Sequence, residues 1–323
     1  MQVKNHISMN ENTWILGGTG YIGSALLKSL LAHQPPGRLH ALLHKSLPLQ
    51  RLERVNTFVG SLGKIDHAWL KHYPPDVVFH LARPAGSCRI SREWASRQGE
   101  AANRSLVRQL TLLERPPVVV YVSGSLVYGP RHDDDPATEK SPLAPAAFAR
   151  HYHRNERPWL EARESGILDV RFARPGWITG PASWFRQFFW LPMQSSGRVP
   201  CYGDGKQLMS LIHLDEGVRM IRALADRGGR NQDLNIFSGK PLSQSRFCTI
   251  LSSITGLPVE QVADARVKKT YGRTALAALT TSIPMQTLYP ELQARALPVS
   301  RDHKALLADI VRLLEDKEAV LSP

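Results

Sequence analysis

An α/β fold, a doubly wound parallel sheet of the Rossmann type with a smaller mixed α/β lobe from the C-terminal third, is what the sequence predicts. Three observations predict it. Residues 13–23, TWILGGTGYIG, set a short apolar run directly before closely spaced glycines. Further short runs rich in Val, Leu and Ile recur at 38–45, 55–59, 76–82, 118–122 and 167–173, separated by stretches with helical patterning. They read as strands buried on both faces, alternating with helices. Finally, 323 residues that are 42% hydrophobic can fill one large domain and a smaller one.

The first run carries the chemistry. Gly17, Gly20 and Gly23 follow Trp14, Ile15 and Leu16 at the spacing of a strand-to-helix phosphate loop. Such a turn uses backbone angles closed to residues with a side chain, and a pyrophosphate must lie against bare N–H groups at the positive end of the next helix. That helix shows Ile22, Leu26 and Leu30 on one face and ends at Pro35, Pro36 and Gly37. A glycine triplet alone also fits a plain tight turn, so the flanking strand and helix are what favour a dinucleotide.

Composition excludes several classes. Cys88, Cys201 and Cys248 lack metal-ligand spacing, which argues against both a metal site and a disulfide framework. The polar first dozen residues and the lack of a long apolar run predict a soluble, cytoplasmic protein with no membrane partner. A net charge of +13 suits an anionic ligand or an acidic partner. The charges are dispersed, with no aromatic-basic stripe to suggest nucleic acid. Asp133, Asp134 and Asp135 after His132 read as a solvated loop.

The GxxGxxG spacing resembles the extended short-chain dehydrogenase/reductase family, the NAD-dependent epimerase/dehydratase group, and later strings extend the resemblance to about Pro258. DVVFHLA at 76–82 resembles the family's fourth strand, which ends beside the cofactor, and Asn103 matches a common asparagine. SGSLVYG at 123–129 resembles SSxxVYG, and Arg174, Pro175, Gly180 and Pro181 match RPxxxxGP. Gly203, Asp204, Gly205 and MSLIHLDE resemble GDG and RDxIHVDD. The resemblance implies cofactor contacts from Gly17, Gly20, Tyr21, Ile22, Gly23, Leu81, Ala82, Arg174 and Pro175. The second strand should end at the adenosine ribose, where an acidic residue would select NAD. His44 and Lys45 stand there instead, and a basic pair suits the 2′-phosphate of NADP.

The departures lie where the resemblance implies catalysis. The family's general acid/base is a Tyr with a Lys four residues on, the cation lowering the phenol pKa. Here the helix is AFARHYHRNERPWLEARESG, and two registers are open. In the preferred one Phe148 takes the Tyr position and Tyr152 the Lys position, with Glu156 matching a family glutamate. In the other Tyr152 is the catalytic Tyr and Glu156 replaces the Lys. Either way the pair is absent, and an unassisted Tyr with a pKa of about 10 is ionised to only roughly one part in a thousand at neutral pH. Gly124 stands where many members carry a hydroxyl. Ser123 and Ser125 are the candidate substitutes, with strand-end capping the other reading.

Met209 and Ser210 replace the Arg and Asp of RDxIHVDD, so an anchor for a sugar diphosphate is missing. The aromatics Trp184, Phe185, Phe188, Phe189 and Trp190 are core, a subunit contact or an apolar substrate wall. The expectation is an NADP-binding oxidoreductase, epimerase or dehydratase of altered mechanism. Tyr152, Ser123 and Ser125 are its catalytic candidates, and its substrate is a small or carrier-linked anion other than a nucleotide sugar. A catalytically silent dinucleotide sensor or assembly protein, a non-redox cyclase or lyase, and a homodimer stay open. The Rossmann domain is expected over 12–178 with a return segment at 207–237, and the substrate lobe over 179–206 and 238–323.

Overall fold

The computed structural model describes residues 11–33, 35, 37–43, 54–83, 86, 89–298 and 301–321. Seven parallel strands form the central sheet: β1 (Thr13–Leu16), β2 (Leu39–Leu43), β3 (Asn56–Val59), β4 (Val77–His80), β5 (Val118–Val122), β6 (Asp169–Pro175) and, later in the chain, β11 (Asp233–Ile236). Their order is β3-β2-β1-β4-β5-β6-β11. Successive strands step one way from β1 to β3 and the other way from β4 onward, so the crevice where the order reverses opens beside the carboxyl end of β1.

Strand alternation assigns each side chain to a layer. Ile15, Phe79, Val120 and Val122 point to one face and meet Leu26, Leu27 and Leu30 of α1 (Tyr21–Leu31) and Ile221 and Leu224 of α6 (Leu214–Arg227). Trp14, Leu16, Val78, Val119 and Tyr121 point to the other face. There they meet Leu106 and Leu110 of α3 (Arg89–Thr111) and Trp159 and Ala162 of α4 (Arg150–Glu164). Burial on both faces explains why these strands read as continuous apolar runs. A short helix, α2 (His67–His72), is capped by Asp66, whose carboxylate accepts from the Ala68 N–H at 2.9 Å.

The second lobe contains β7 (Trp177–Thr179), β8 (Val199–Tyr202), β9 (Leu208–Met209), β10 (Leu211–His213), β12 (Leu242–Ser243) and β13 (Val259–Val262). They pair two by two, β10 with β7 and β13 with β8 in parallel, β12 with β9 antiparallel. Helices α5 (Leu191–Ser196), α7 (Gln244–Thr255), α8 (Asp264–Thr280), α9 (Pro290–Ala296) and α10 (His303–Leu321) complete the chain. Phe185, Phe189 and Trp190 lie in one apolar cluster with Phe247, Leu251, Leu307 and Ile310. These three aromatics are therefore core, with Trp184 and Phe188 half-buried against them. Helix α7 starts at Gln244, where the Ser243 hydroxyl accepts from the Arg246 N–H at 3.2 Å as its cap. Among the described residues no helix is long and apolar enough to cross a membrane, and no group of His, Cys, Asp or Glu could hold a metal.

Two buried histidines, His40 and His80, make the sheet acid-sensitive. His80, 1% exposed at the end of β4, bonds Asn103 Oδ1 through Nε2 at 2.8 Å and packs against Tyr121 and Trp159. Burial lowers its pKa from 6.5 to about 4, the Asn103 bond opposing. Below the unfolded value the unfolded chain takes up a proton that the native one refuses, so stability falls with pH between 6.5 and about 4. The full shift is worth about 3 kcal/mol. Urea unfolding across that window should show this slope, and His80→Gln should reduce it, leaving the part that comes from His40, 0% exposed in β2 and likewise lowered to about 4. An equal slope in the variant would assign the effect to other groups.

Candidate active site

The glycine loop is built by close backbone approach. Gly17 has φ +93°, and a Cβ there would lie 2.8 Å from the Ala82 backbone nitrogen, so loop and β4 end touch directly. At Gly23 a Cβ would overlap the Gly17 carbonyl oxygen. The Gly20 N–H closes the turn on that oxygen at 3.0 Å. No side chain caps α1 and no acidic residue stands in its first turn, so the N–H groups at Tyr21, Ile22 and Gly23 are open to an anion. This cradle fits a dinucleotide pyrophosphate. The Tyr21 hydroxyl is turned away, buried beside Gly180 and Ser183 with its pKa raised by burial to about 12, so Tyr21 offers its backbone alone. Ile22 packs on the core under the loop. His44 and Lys45, the residues that favoured NADP, lie outside the described residues.

Beyond Ala82 the crevice continues into a cavity of about 300 Å³ between α3, the end of β5 and α4. Its wall includes Arg83, Arg92, Ser96, Ser123, His151, Tyr152 and Glu156. Tyr152 therefore does face the cavity, whereas Ser125, buried in the one-turn helix Ser125–Tyr128, and Phe148, in the turn before α4, are not part of that wall. Arg83 lies over Tyr152 with its guanidinium carbon 5.0 Å from the ring centroid, and its Nη2 donates to the carbonyl oxygens of Ser123 and of Val122, the latter at 3.3 Å. Gly124, at the position of the family hydroxyl, borders the same group: a Cβ there would lie 3.8 Å from Arg83 Nη2.

Behind the wall lies a buried charge network. Arg174 Nη1 donates to Glu156 Oε2 at 3.1 Å and its Nε to Asp233 Oδ2 at 3.4 Å, and Arg163 also pairs with Asp233. The Ser123 hydroxyl donates to the Glu156 carboxylate. Burial pushes the Glu156 carboxyl above its ordinary range while Arg174 pulls it down. Burial also works against the Arg174 charge, but Glu156 and Asp233 outweigh it and hold the guanidinium cationic. Arg174, expected among the cofactor contacts, is thus a buried tie between α4, β6 and β11, its planes against Tyr128 and Phe172. Ser123 is committed to the same tie. Pro175, Leu81 and Ala82 do lie at strand ends around the crevice.

Residues 13–236 match the family model for NAD dependent epimerase/dehydratase proteins. The chain belongs to the NAD dependent epimerase/dehydratase family. A dTDP-glucose 4,6-dehydratase of Streptomyces griseus is 31% identical over 155 residues, 45% of this chain and 44% of that protein, so the match spans under half of the relative's length. A UDP-glucose 4-epimerase of Mycolicibacterium smegmatis is 25% identical over 276 residues, 77% of this chain and 84% of the epimerase. In fold, the chain resembles DesIV, a dTDP-glucose 4,6-dehydratase from Streptomyces venezuelae solved with NAD and TYD bound. Its TM-score is 0.75 at 22% identity, over 95% of this chain and 98% of that one.

Arg83, Arg92 and Ser96 escape the motif comparison. Arg83 had a local signal, as the residue directly after the HLA string of β4, and His151 had one as the neighbour of Tyr152.

Proposed function

We propose that the chain binds a nicotinamide dinucleotide along the carboxyl edge of the sheet and acts as an oxidoreductase, epimerase or dehydratase with an altered catalytic wall. The observation that carries this reading is a contrast between neighbours. Gly17 packs on Ala82 as a cofactor loop requires, and the next residue, Arg83, packs on Tyr152 where a lysine is expected. A bound nicotinamide supplies hydride exchange. The chain's own groups supply proton handling: Tyr152 brings a hydroxyl donor, and the His151 ring centroid lies 4.1 Å from its ring. Burial, then Arg92 and Arg83, lower the His151 pKa, which keeps that imidazole neutral and able to accept a proton.

The substrate in this reading is anionic and not a nucleotide sugar, in contrast to the relatives named above. Met209 supports the difference, because it is 1% exposed in the core of the second lobe and brings no cation to a diphosphate. NAD is the cofactor expected first, since the solved neighbour holds it. NADP rests on His44 and Lys45 alone.

Thermal unfolding with either dinucleotide tests the binding claim. At about 100 times the dissociation constant a ligand adds about 2.7 kcal/mol, a shift of several degrees. No shift with NAD or NADP would move the reading to a non-redox cyclase or lyase. A shift without hydride exchange from deuterated NADH would favour a silent dinucleotide-binding protein, the reading that Gly124 and Tyr152 motivate. Where exchange is seen, Tyr152→Phe should abolish it, and unchanged exchange would exclude a role for Tyr152.

A further inference from the structure

The cavity beyond Ala82 has a charge balance that the family's Tyr-Lys chemistry does not account for. Two guanidiniums, Arg83 and Arg92, face it. Among the described residues neither has a carboxylate within ion-pair distance. Their recorded bonds go to neutral acceptors: Arg83 to the carbonyls of Val122 and Ser123, Arg92 Nη2 to the Thr274 hydroxyl at 3.0 Å. A guanidinium carries five N–H donors, so both keep donors in hand. Among the described residues the one carboxylate in the wall, Glu156, is 1% exposed and already held by Arg174 and Ser123. The wall is therefore positive on balance, with hydroxyls of Ser96 and Tyr152 beside the cations.

We propose that this cavity is an oxyanion receptor in which Arg83 and Arg92 grip a carboxylate or phosphate group carried by the substrate. The identity of the attached molecule rests on the function proposed above, whereas the anion site itself does not. Arg83 is held for the task. Its guanidinium carbon sits 5.0 Å from the Tyr152 ring centroid and its Nη2 is fixed by the carbonyls at the end of β5, which leaves the Nε and Nη1 donors to meet a carboxylate or a phosphate. Arg92 enters from α3, and the fields of Arg92 and Arg83 both reach His151 and depress its protonation, with Glu93 opposing. About 300 Å³ suits a group the size of a sugar acid.

Calorimetric titration of the full chain, without dinucleotide, tests the site. The probes are glucuronate for a sugar carboxylate, inorganic phosphate for a phosphoryl group and glucose as the neutral control. Glucuronate or phosphate should bind and glucose should not, with affinity falling as salt rises. Arg83→Met and Arg92→Met should each weaken binding about tenfold, while Arg246→Met, on the exposed face of α7, should leave it unchanged. Binding of glucuronate alone assigns a carboxylate substrate, and binding of phosphate alone a phosphorylated one. The proposal is overturned if neither anion binds, if glucose binds equally, or if both arginine variants, shown folded by their unfolding midpoints, bind as the parent does. The thermal shift with NAD, measured separately on the same variants, reports the cofactor site, so the two claims fail independently.

Discussion

Gly23→Ala is expected to abolish dinucleotide binding and to destabilise the chain by about 2 kcal/mol. The added methyl would overlap the Gly17 carbonyl oxygen and stand 3.1 Å from Gly18 Cα. All of these are backbone atoms, and no rotamer change relieves the overlap. Either the turn that the Gly20 N–H closes must open, or α1 must withdraw from β1, and both displace the N–H groups that face a pyrophosphate. Two readouts separate the effects. The unfolding midpoint without ligand reports the packing cost, and the shift on adding NAD reports the cradle. Gly63→Ala is the control, since its Cβ would meet only the Ala102 methyl at 3.6 Å. A Gly23→Ala protein as stable and as responsive to NAD as its parent would mean that the loop is not held as described.

The sheet was legible because its strands are covered on both faces. Val118–Val122 and Val77–His80 had to be apolar at every position, and a short unbroken apolar run is visible without alignment. The ends were less so: the strand expected over 167–173 runs from Asp169 to Pro175, because β6 pairs with both β5 and β11 and their extent sets its length. The C-terminal lobe could be placed only by position. Its strands are two to four residues long and pair in twos, too short to show a period.

The site divides in the same way. The glycine loop reads directly, since a backbone contact forces a glycine whatever surrounds it. Arg174 was misjudged because an arginine in a motif looks the same whether it meets a ligand or a buried carboxylate. Only the approach of Glu156 and Asp233 tells the two apart, and those residues lie 18 and 59 positions away. Arg83 and Arg92 were invisible as a pair, because their convergence depends on how α3 packs against the end of β5.

The Arg174 network sets the second large effect. Glu156→Leu should cost about 3 kcal/mol, because it leaves a fully buried guanidinium with one carboxylate, Asp233, that Arg163 also claims. The Ser123 hydroxyl loses its acceptor in the same step, so the end of β5 loosens along with α4. The double variant Glu156→Leu/Arg174→Met removes both buried charges and leaves Asp233 to Arg163. It should be more stable than Glu156→Leu alone by about 1–2 kcal/mol, since replacing a whole buried pair with apolar groups costs less than stranding one partner. Urea unfolding of the parent, the two single variants and the double gives that coupling. If the two losses simply add, the ion pair is not what holds α4 against β6. The side chains would then be acting through packing alone, Arg174 through its faces on Tyr128 and Phe172.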